Sequence, residues 1–398
     1  MVTREDLERA RDRLRGLIRA TPVDRSDTLG RILGRPVALK PEHLQRTGSF
    51  KIRGATNFIA TLPAGSAVVA ASAGNHAQGV ALAAARAGLP SRVFMPASAA
   101  LPKVEATQNY GATVEFVAGS VDDAIAAAKA RAESTGAVFV PPFDDPLVIA
   151  GQGTIGLELT EEAPDAEVVV VPVGGGGLVS GIAAALKLSG HPARIVGVEP
   201  TGAACMAASL AAGQPVRLDS LTTMADGVAI KVPSALTLEH VQAYVDDIVT
   251  VDDDDIARAV VLLLERAKAV VEPAGATALA ALLAGKVGGN GLAVAVLSGG
   301  NVDPFLLLQL VDRGLSASGR YLILRVQLAD RPGALAALTA AVAEMGLNVL
   351  AVEHHRSGLL LPLEQVEVVL TLETRDPEHR AEVVEGLAAK GYRVEMTQ

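Results

Sequence analysis

Val168-Val169-Val170-Val171-Pro172-Val173-Gly174-Gly175-Gly176-Gly177-Leu178 runs six apolar residues into four glycines and then into an apolar, Ala-rich stretch, 178–188. The β-branched start has the length and composition of a strand buried on both faces, which requires a sheet covered by helices. The glycines can turn that strand into a helix, and their backbone N–H groups can form a phosphate cup. Two rival phosphate patterns fail: a G-x-G-x-x-G frame breaks at Val179 or Ser180, and no G-x-x-x-x-G-K-[ST] occurs in the chain. The same alternation recurs on both sides. Residues 67–70, 91–95, 113–117, 194–198 and 292–297 read as strands, and 75–87, 120–134 and 253–270 as helices. The pattern predicts an α/β protein with two doubly wound open sheets. The smaller is built mainly from about residues 50–150 and the larger from the rest up to about 315, with a ligand cleft at the carboxyl ends of the strands.

After residue 315 the pattern changes. Residues 313–320, Arg-Gly-Leu-Ser-Ala-Ser-Gly-Arg, read as a linker, with 316–320 separating the two parts of the chain. Strand, helix, strand, strand, helix and strand patterns then follow at 321–328, 333–345, 348–354, 365–372, 376–390 and 392–396. That βαββαβ order predicts a ferredoxin-like module over 321–398.

Composition limits the function. The chain has 398 residues, 50% hydrophobic and 3% aromatic, enough for two or three α/β cores with small side chains between layers. A net charge of −9 argues against nucleic-acid and anionic-membrane partners and leaves a small molecule as the expected one. No apolar run reaches the length of a membrane span. The N-terminal 1–19 read as a surface helix, and the lone Cys205 allows no intrachain disulfide, so a cytoplasmic location is expected.

Three further stretches carry candidate chemistry. In Ser49-Phe50-Lys51-Ile52-Arg53-Gly54-Ala55 a lysine sits between apolar residues at an expected helix start. Burial and the positive end of a helix both favour its neutral amine, which can form an imine with an aldehyde. Ser72-Ala73-Gly74-Asn75-His76-Ala77-Gln78-Gly79 follows a strand and opens a helix, offering free N–H groups to an anion. Ser298-Gly299-Gly300-Asn301 ends an apolar strand. Asp252 to Asp255 read as helix caps, not as a metal site, and Glu272 before Pro273 as a helix start.

With the glycine run, these motifs over residues 17–310 resemble the pyridoxal-phosphate enzymes of the threonine and serine dehydratase type, which have the tryptophan synthase β-like fold. The resemblance implies that Lys51 carries the cofactor and takes the Cα proton. It implies that Phe50 covers one ring face, Gly174, Gly175, Gly176, Gly177 and Leu178 hold the phosphate, Asn75 meets the ring oxygen, and Ser298 meets the ring nitrogen. Ser72, Ala73, Gly74, Asn75 and His76 would grip the substrate carboxylate, His76 through its backbone more than its ring. Relatives that racemise serine carry a second serine where this chain has Ala73, so elimination is implied: L-threonine to 2-oxobutanoate and ammonia. L-Serine remains an alternative substrate, as do racemisation and 3-hydroxyaspartate as alternatives on the same scaffold. From a different class, a non-catalytic amino-acid sensor is the rival. Glu199 and the Ala203 carbonyl match part of a divalent-metal site of some relatives, but Cys205 replaces its acid, and no metal is assigned. The C-terminal module resembles the ACT domain through Asp330, Pro332, Gly333, Ala334, Leu335 and Asn348. That implies feedback control, by isoleucine or valine if the pathway is isoleucine synthesis, in a homodimer or homotetramer.

Overall fold

A computed structural model describes residues 1–317, 319–356 and 364–396. The valine run forms the strand Ala166–Pro172 inside a six-stranded sheet. Across that sheet the order is Asp24–Arg25, Val37–Lys40, Leu292–Val296, Ala166–Pro172, Arg194–Pro200 and Asp247–Val251. The first pair is antiparallel and all the others are parallel. Val169 and Val171 are fully buried against Ile155, Ile182 and Leu186 of the covering helices Pro146–Glu162 and Gly177–Leu188. Burying each such valine contributes roughly 1.5–3 kcal/mol.

A second, four-stranded parallel sheet runs Thr113–Val117, Ser91–Pro96, Val68–Ala71 and Val138–Phe139. Its helix Lys51–Ile59 crosses Pro146–Glu162 at a glycine contact: a Cβ on Gly151 would lie 2.7 Å from Gly54 Cα. This close crossing brings the start of the Lys51 helix down onto the long helix that also packs on the larger sheet.

The chain divides into two compact units, Met1–Leu307 and Leu308–Gln398. In the second, Val349–His355, Gln365–Glu373, Tyr321–Ala329 and Arg393–Met396 lie side by side in that order, all antiparallel. Tyr321–Ala329 alternates between buried and more exposed positions, as a strand with one covered face does. Leu322, Leu324 and Val326 form a core with Leu338 and Val342 of helix Ala334–Glu344 and with Val383 and Leu387 of helix Pro377–Ala389. This is the expected ferredoxin-like arrangement.

Two local expectations fail. Residues 313–317, expected as linker, continue the helix Pro304–Ala317, where the leucines at 306, 307, 308, 310 and 315 supply a helical pattern that outweighs one glycine and one serine; Ser318 lies outside the described residues. The helix expected over 253–270 stops at Leu262, passes through a π-turn at Leu263–Ala267 and breaks at Lys268, whose φ is +56°. The break frees residues 269–272 to run toward the larger sheet, where Glu272 N–H bonds the Gly299 carbonyl. Asp252 is indeed the N-cap of Asp253–Leu262, accepting from Asp255 N–H at 2.8 Å.

Candidate active site

Three parallel strands end at the same cavity. Ser72 directly follows Val68–Ala71, Gly174 comes two residues after Ala166–Pro172, and Ser298 two residues after Leu292–Val296. The cavity has a volume of about 530 Å³, within the usual span for a cofactor site. Lys51, Phe50, the loop from Ser72 to His76, the run from Gly174 to Leu178, and Ser298 all line it.

Two helix N-termini without side-chain caps open on it. Gly174, Gly175 and Gly176 lead into Gly177–Leu188, with Gly176 as N-cap at φ +90°, a conformation that favours glycine. The glycines are also demanded by packing. A Cβ on Gly174 would lie 2.9 Å from Val228 Cα, and one on Gly177 would lie 2.9 Å from the Phe143 carbonyl; one on Gly175 would collide with the Phe143 ring. Packing thus keeps this stretch of the cavity wall free of side chains and its backbone N–H groups bare. The second N-terminus is that of Asn75–Arg86, whose N-cap Gly74 donates its N–H to Ser72 Oγ at 3.1 Å.

Lys51 is the first residue of its helix, and its Nζ donates to the Pro142 carbonyl at 2.9 Å. Burial pulls its amine down to about 8, against the opposing pull of Asp144 and Glu272. The Phe50 ring lies 5.2 Å from Nζ. Two residues on, the buried Arg53 pairs with Glu42 at 2.7 Å and Glu158 at 2.5 Å, and buried Lys40 pairs with Glu158 and Glu162. This network holds the helix start that carries Lys51, because losing one partner would leave an uncompensated buried charge.

His76 is buried, and its Nε2 lies 3.0 Å from the Val140 carbonyl while Nδ1 has no partner. Burial, with the charge of Lys51, pushes its pKa down to about 3, so the ring is neutral and its proton stays on Nε2. Such a ring is poorly suited to proton exchange at neutral pH. Ala73 brings no proton-bearing group to the loop.

Some residues of the site were not picked out from the sequence. Glu272, expected only as a helix start, is the N-cap of Pro273–Leu283, but its side chain makes no capping bond and enters the cavity instead. Asn301 donates to Asn75 Oδ1 at 2.7 Å. The signal for Asn301 lay in its place two residues after Gly299; for Glu272 no local signal exists. At the rim Lys103 pairs with Asp226 at 2.6 Å and Arg217 with Asp122. Away from the cavity lining, Glu199 accepts N–H bonds from Met206 and Ala207, both at 2.8 Å, and burial raises it to about 7. Burial and Glu199 together raise Cys205 to about 12, so it stays a thiol. In the second unit, Gly333 has φ +89° and caps helix Ala334–Glu344, while Asn348 Nδ2 donates to Glu373 at 3.3 Å.

An amine that is neutral in an appreciable fraction, a glycine cradle without room for Cβ atoms and a hydroxyl at a third strand end fit an aldehyde carrying a phosphate. The chain belongs to the family of pyridoxal-phosphate dependent enzymes, matching it over residues 14–299, and residues 322–389 match the ACT domain. Pyridoxal phosphate is thus its cofactor. Among relatives, it is 48% identical over 398 residues to the L-threonine ammonia-lyase of Thermotoga maritima, covering 99% of each chain. Among solved structures, threonine deaminase isoform 2 from Solanum lycopersicum superposes with a TM-score of 0.73 at 34% identity, over 78% of this chain and 94% of that one. Maize serine racemase superposes with a TM-score of 0.74 at 37% identity, over 79% of this chain and 98% of the other. Among the described residues no helix is long and apolar enough to cross a membrane.

Proposed function

We propose that this protein is a threonine ammonia-lyase, converting L-threonine to 2-oxobutanoate and ammonia. The observation that carries the reading is the Lys51 amine, neutral in part at physiological pH, in the same cavity as the Gly174–Gly177 cradle and beside a loop whose second residue is alanine. When bound, pyridoxal phosphate supplies an electron sink for the Cα–H bond of the amino acid.

The chain's residues do the rest. The glycine N–H groups bind phosphate, and the N-terminus of Asn75–Arg86 binds the substrate carboxylate. Phe50 would cover one face of the ring, Asn75 would hold its oxygen and the Ser298 hydroxyl its nitrogen, as all three line the cavity. A neutral hydroxyl at Ser298, unlike a carboxylate, would not hold the ring nitrogen protonated, so the bound group would supply a weaker electron sink, suited to loss of a β-group. Lys51 Nζ accepts the Cα proton, which balances the proton that leaves with the β-hydroxyl as water. The enamine left behind takes up water and releases ammonia, leaving the 2-oxo acid. Ala73 cannot return a proton from the opposite face, so elimination proceeds without racemisation.

The ACT module supports control by an amino acid. Isoleucine or valine is the expected effector if the pathway is isoleucine synthesis, through Asp330, Pro332, Gly333, Ala334, Leu335 and Asn348 in an assembly of two or four copies. We place the enzyme in the cytoplasm, in keeping with its lone, unpaired Cys205. The test is 2-oxo acid release by the purified, cofactor-loaded protein with L-threonine and L-serine in parallel. Preferential 2-oxobutanoate formation supports the reading, and no oxo acid from either substrate overturns it. Removal of residues 319–398 should keep turnover and abolish the response to isoleucine and valine; a truncated protein that still responds would remove the effector assignment.

A further inference from the structure

Glu272 makes a contact that its place at a helix start does not require. Its carboxyl is 3% exposed and accepts a 2.6 Å bond from Asn75 Nδ2. The other end of the Asn75 amide is held as well. Asn301 Nδ2 donates to Asn75 Oδ1 at 2.7 Å, and Nδ2 itself is oriented by the Thr47 carbonyl, also at 2.7 Å. A carbonyl only accepts, so the Asn301 nitrogen is the donor, and Asn75 must present oxygen to Asn301 and nitrogen to Glu272.

Glycines make room for the pair. A Cβ on Gly299 would run into Glu272 Oε1 and lie 3.1 Å from Asn75 Nδ2, and a Cβ on Gly227 would touch both side chains at about 4 Å. An asparagine amide has two N–H bonds. One goes to Glu272, leaving a single one for an oxygen in the cavity.

We propose that Glu272 is a positioning residue, holding the Asn75 amide so that its remaining N–H meets the ring oxygen of pyridoxal phosphate in a fixed direction. The inference rests on the reading that pyridoxal phosphate occupies this cavity with its ring oxygen toward Asn75.

The test is a cofactor titration of the apo-protein, following the visible absorption band, for the wild type, Glu272→Ala, Glu272→Gln, Asn75→Ala and the Asn75→Ala/Glu272→Ala double variant. Glu272→Ala should weaken cofactor binding about tenfold, as expected for one lost buried hydrogen bond, and shift the band. Glu272→Gln keeps a carbonyl acceptor and should stay within about threefold of the wild type. Adding Glu272→Ala to Asn75→Ala should cost less than about twofold more, since the contact is already gone. If Glu272→Ala does not fold, Glu272→Asp, one methylene too short to reach Asn75, should show the same loss. A wild-type affinity and band in the Ala or Asp variant, or penalties that multiply in the double variant, overturn the inference. A wild-type protein that takes up no pyridoxal phosphate overturns the reading beneath it as well.

Discussion

The Nζ of Lys51 lies 2.9 Å from the carbonyl oxygen of Pro142, a contact that spans 91 positions of sequence and keeps the amine inside the cavity. Burial lowers its pKa from 10.5 to about 8. Because only the neutral amine is nucleophilic, cofactor capture by the apo-protein should accelerate about tenfold per pH unit up to about 8 and level off above it. The stability sign follows the same shift. The folded value lies below the unfolded one, so the unfolded chain holds the extra proton between about 8 and 10.5, and the fold gains stability as pH rises through that window. Lys51→Met should remove this gain, keep the fold, and lower turnover by at least about a hundredfold. Reconstitution rates and melting curves across pH 6–10.5 check both; a capture rate independent of pH would remove the low pKa from the mechanism.

Gly175→Ala tests the cradle. The added methyl would meet the Phe143 ring, and overpacking of this kind costs about 1–3 kcal/mol. Affinity for pyridoxal phosphate should fall at least about tenfold, and the melting temperature should drop. Phe143→Leu in the same chain should recover part of both. A Gly175→Ala protein that binds the cofactor normally would show that the cradle has slack.

Ala73→Ser places a hydroxyl in the loop beside Asn75 and should open a path for reprotonation. With L-serine as substrate, D-serine should become detectable by chiral chromatography while 2-oxo acid formation slows. Pure elimination in this variant would mean that the residue at this position does not decide between the two outcomes.

Glu199 gives a stability prediction separate from the cavity. Burial raises its carboxyl from 4.5 to about 7. The folded state therefore retains a proton that the unfolded state has lost, and stability drains away as pH rises from about 4.5 to 7. In Glu199→Gln this loss is absent. Relative to the wild type, the variant should gain roughly 1–3 kcal/mol between pH 5 and 8, read from denaturation midpoints at several pH values. A constant difference over that range would show that Glu199 does not titrate there.

The order of strands and helices was legible because it is written in local periodicity. A run such as Val168 to Val171 has to be buried on both faces, and Tyr321–Ala329 on one face only. The motifs around Lys51, Asn75, Gly174 and Ser298 were legible for a related reason: each is a strand end or helix start whose backbone must stay bare. The short strands Asp24–Arg25, Val37–Lys40 and Val138–Phe139 were not, since two to four residues give no usable period. Nor was the end of the helix at Leu262, where the apolar pattern continues and the backbone departs from it to carry Glu272 into the cavity.

The sequence alone determined the fold class and the chemical character of the cofactor, because these follow from hydrophobic period and from residue types at turns. Only the tertiary structure decided which partners the polar side chains take. Asn75 meets Glu272 across 197 positions and Asn301 across 226, and Lys51 is desolvated by a cavity wall that belongs to other segments. Hydrogen-bond direction and burial depend on distances that local sequence does not contain, and those are what set proton affinities and hold the amide of Asn75.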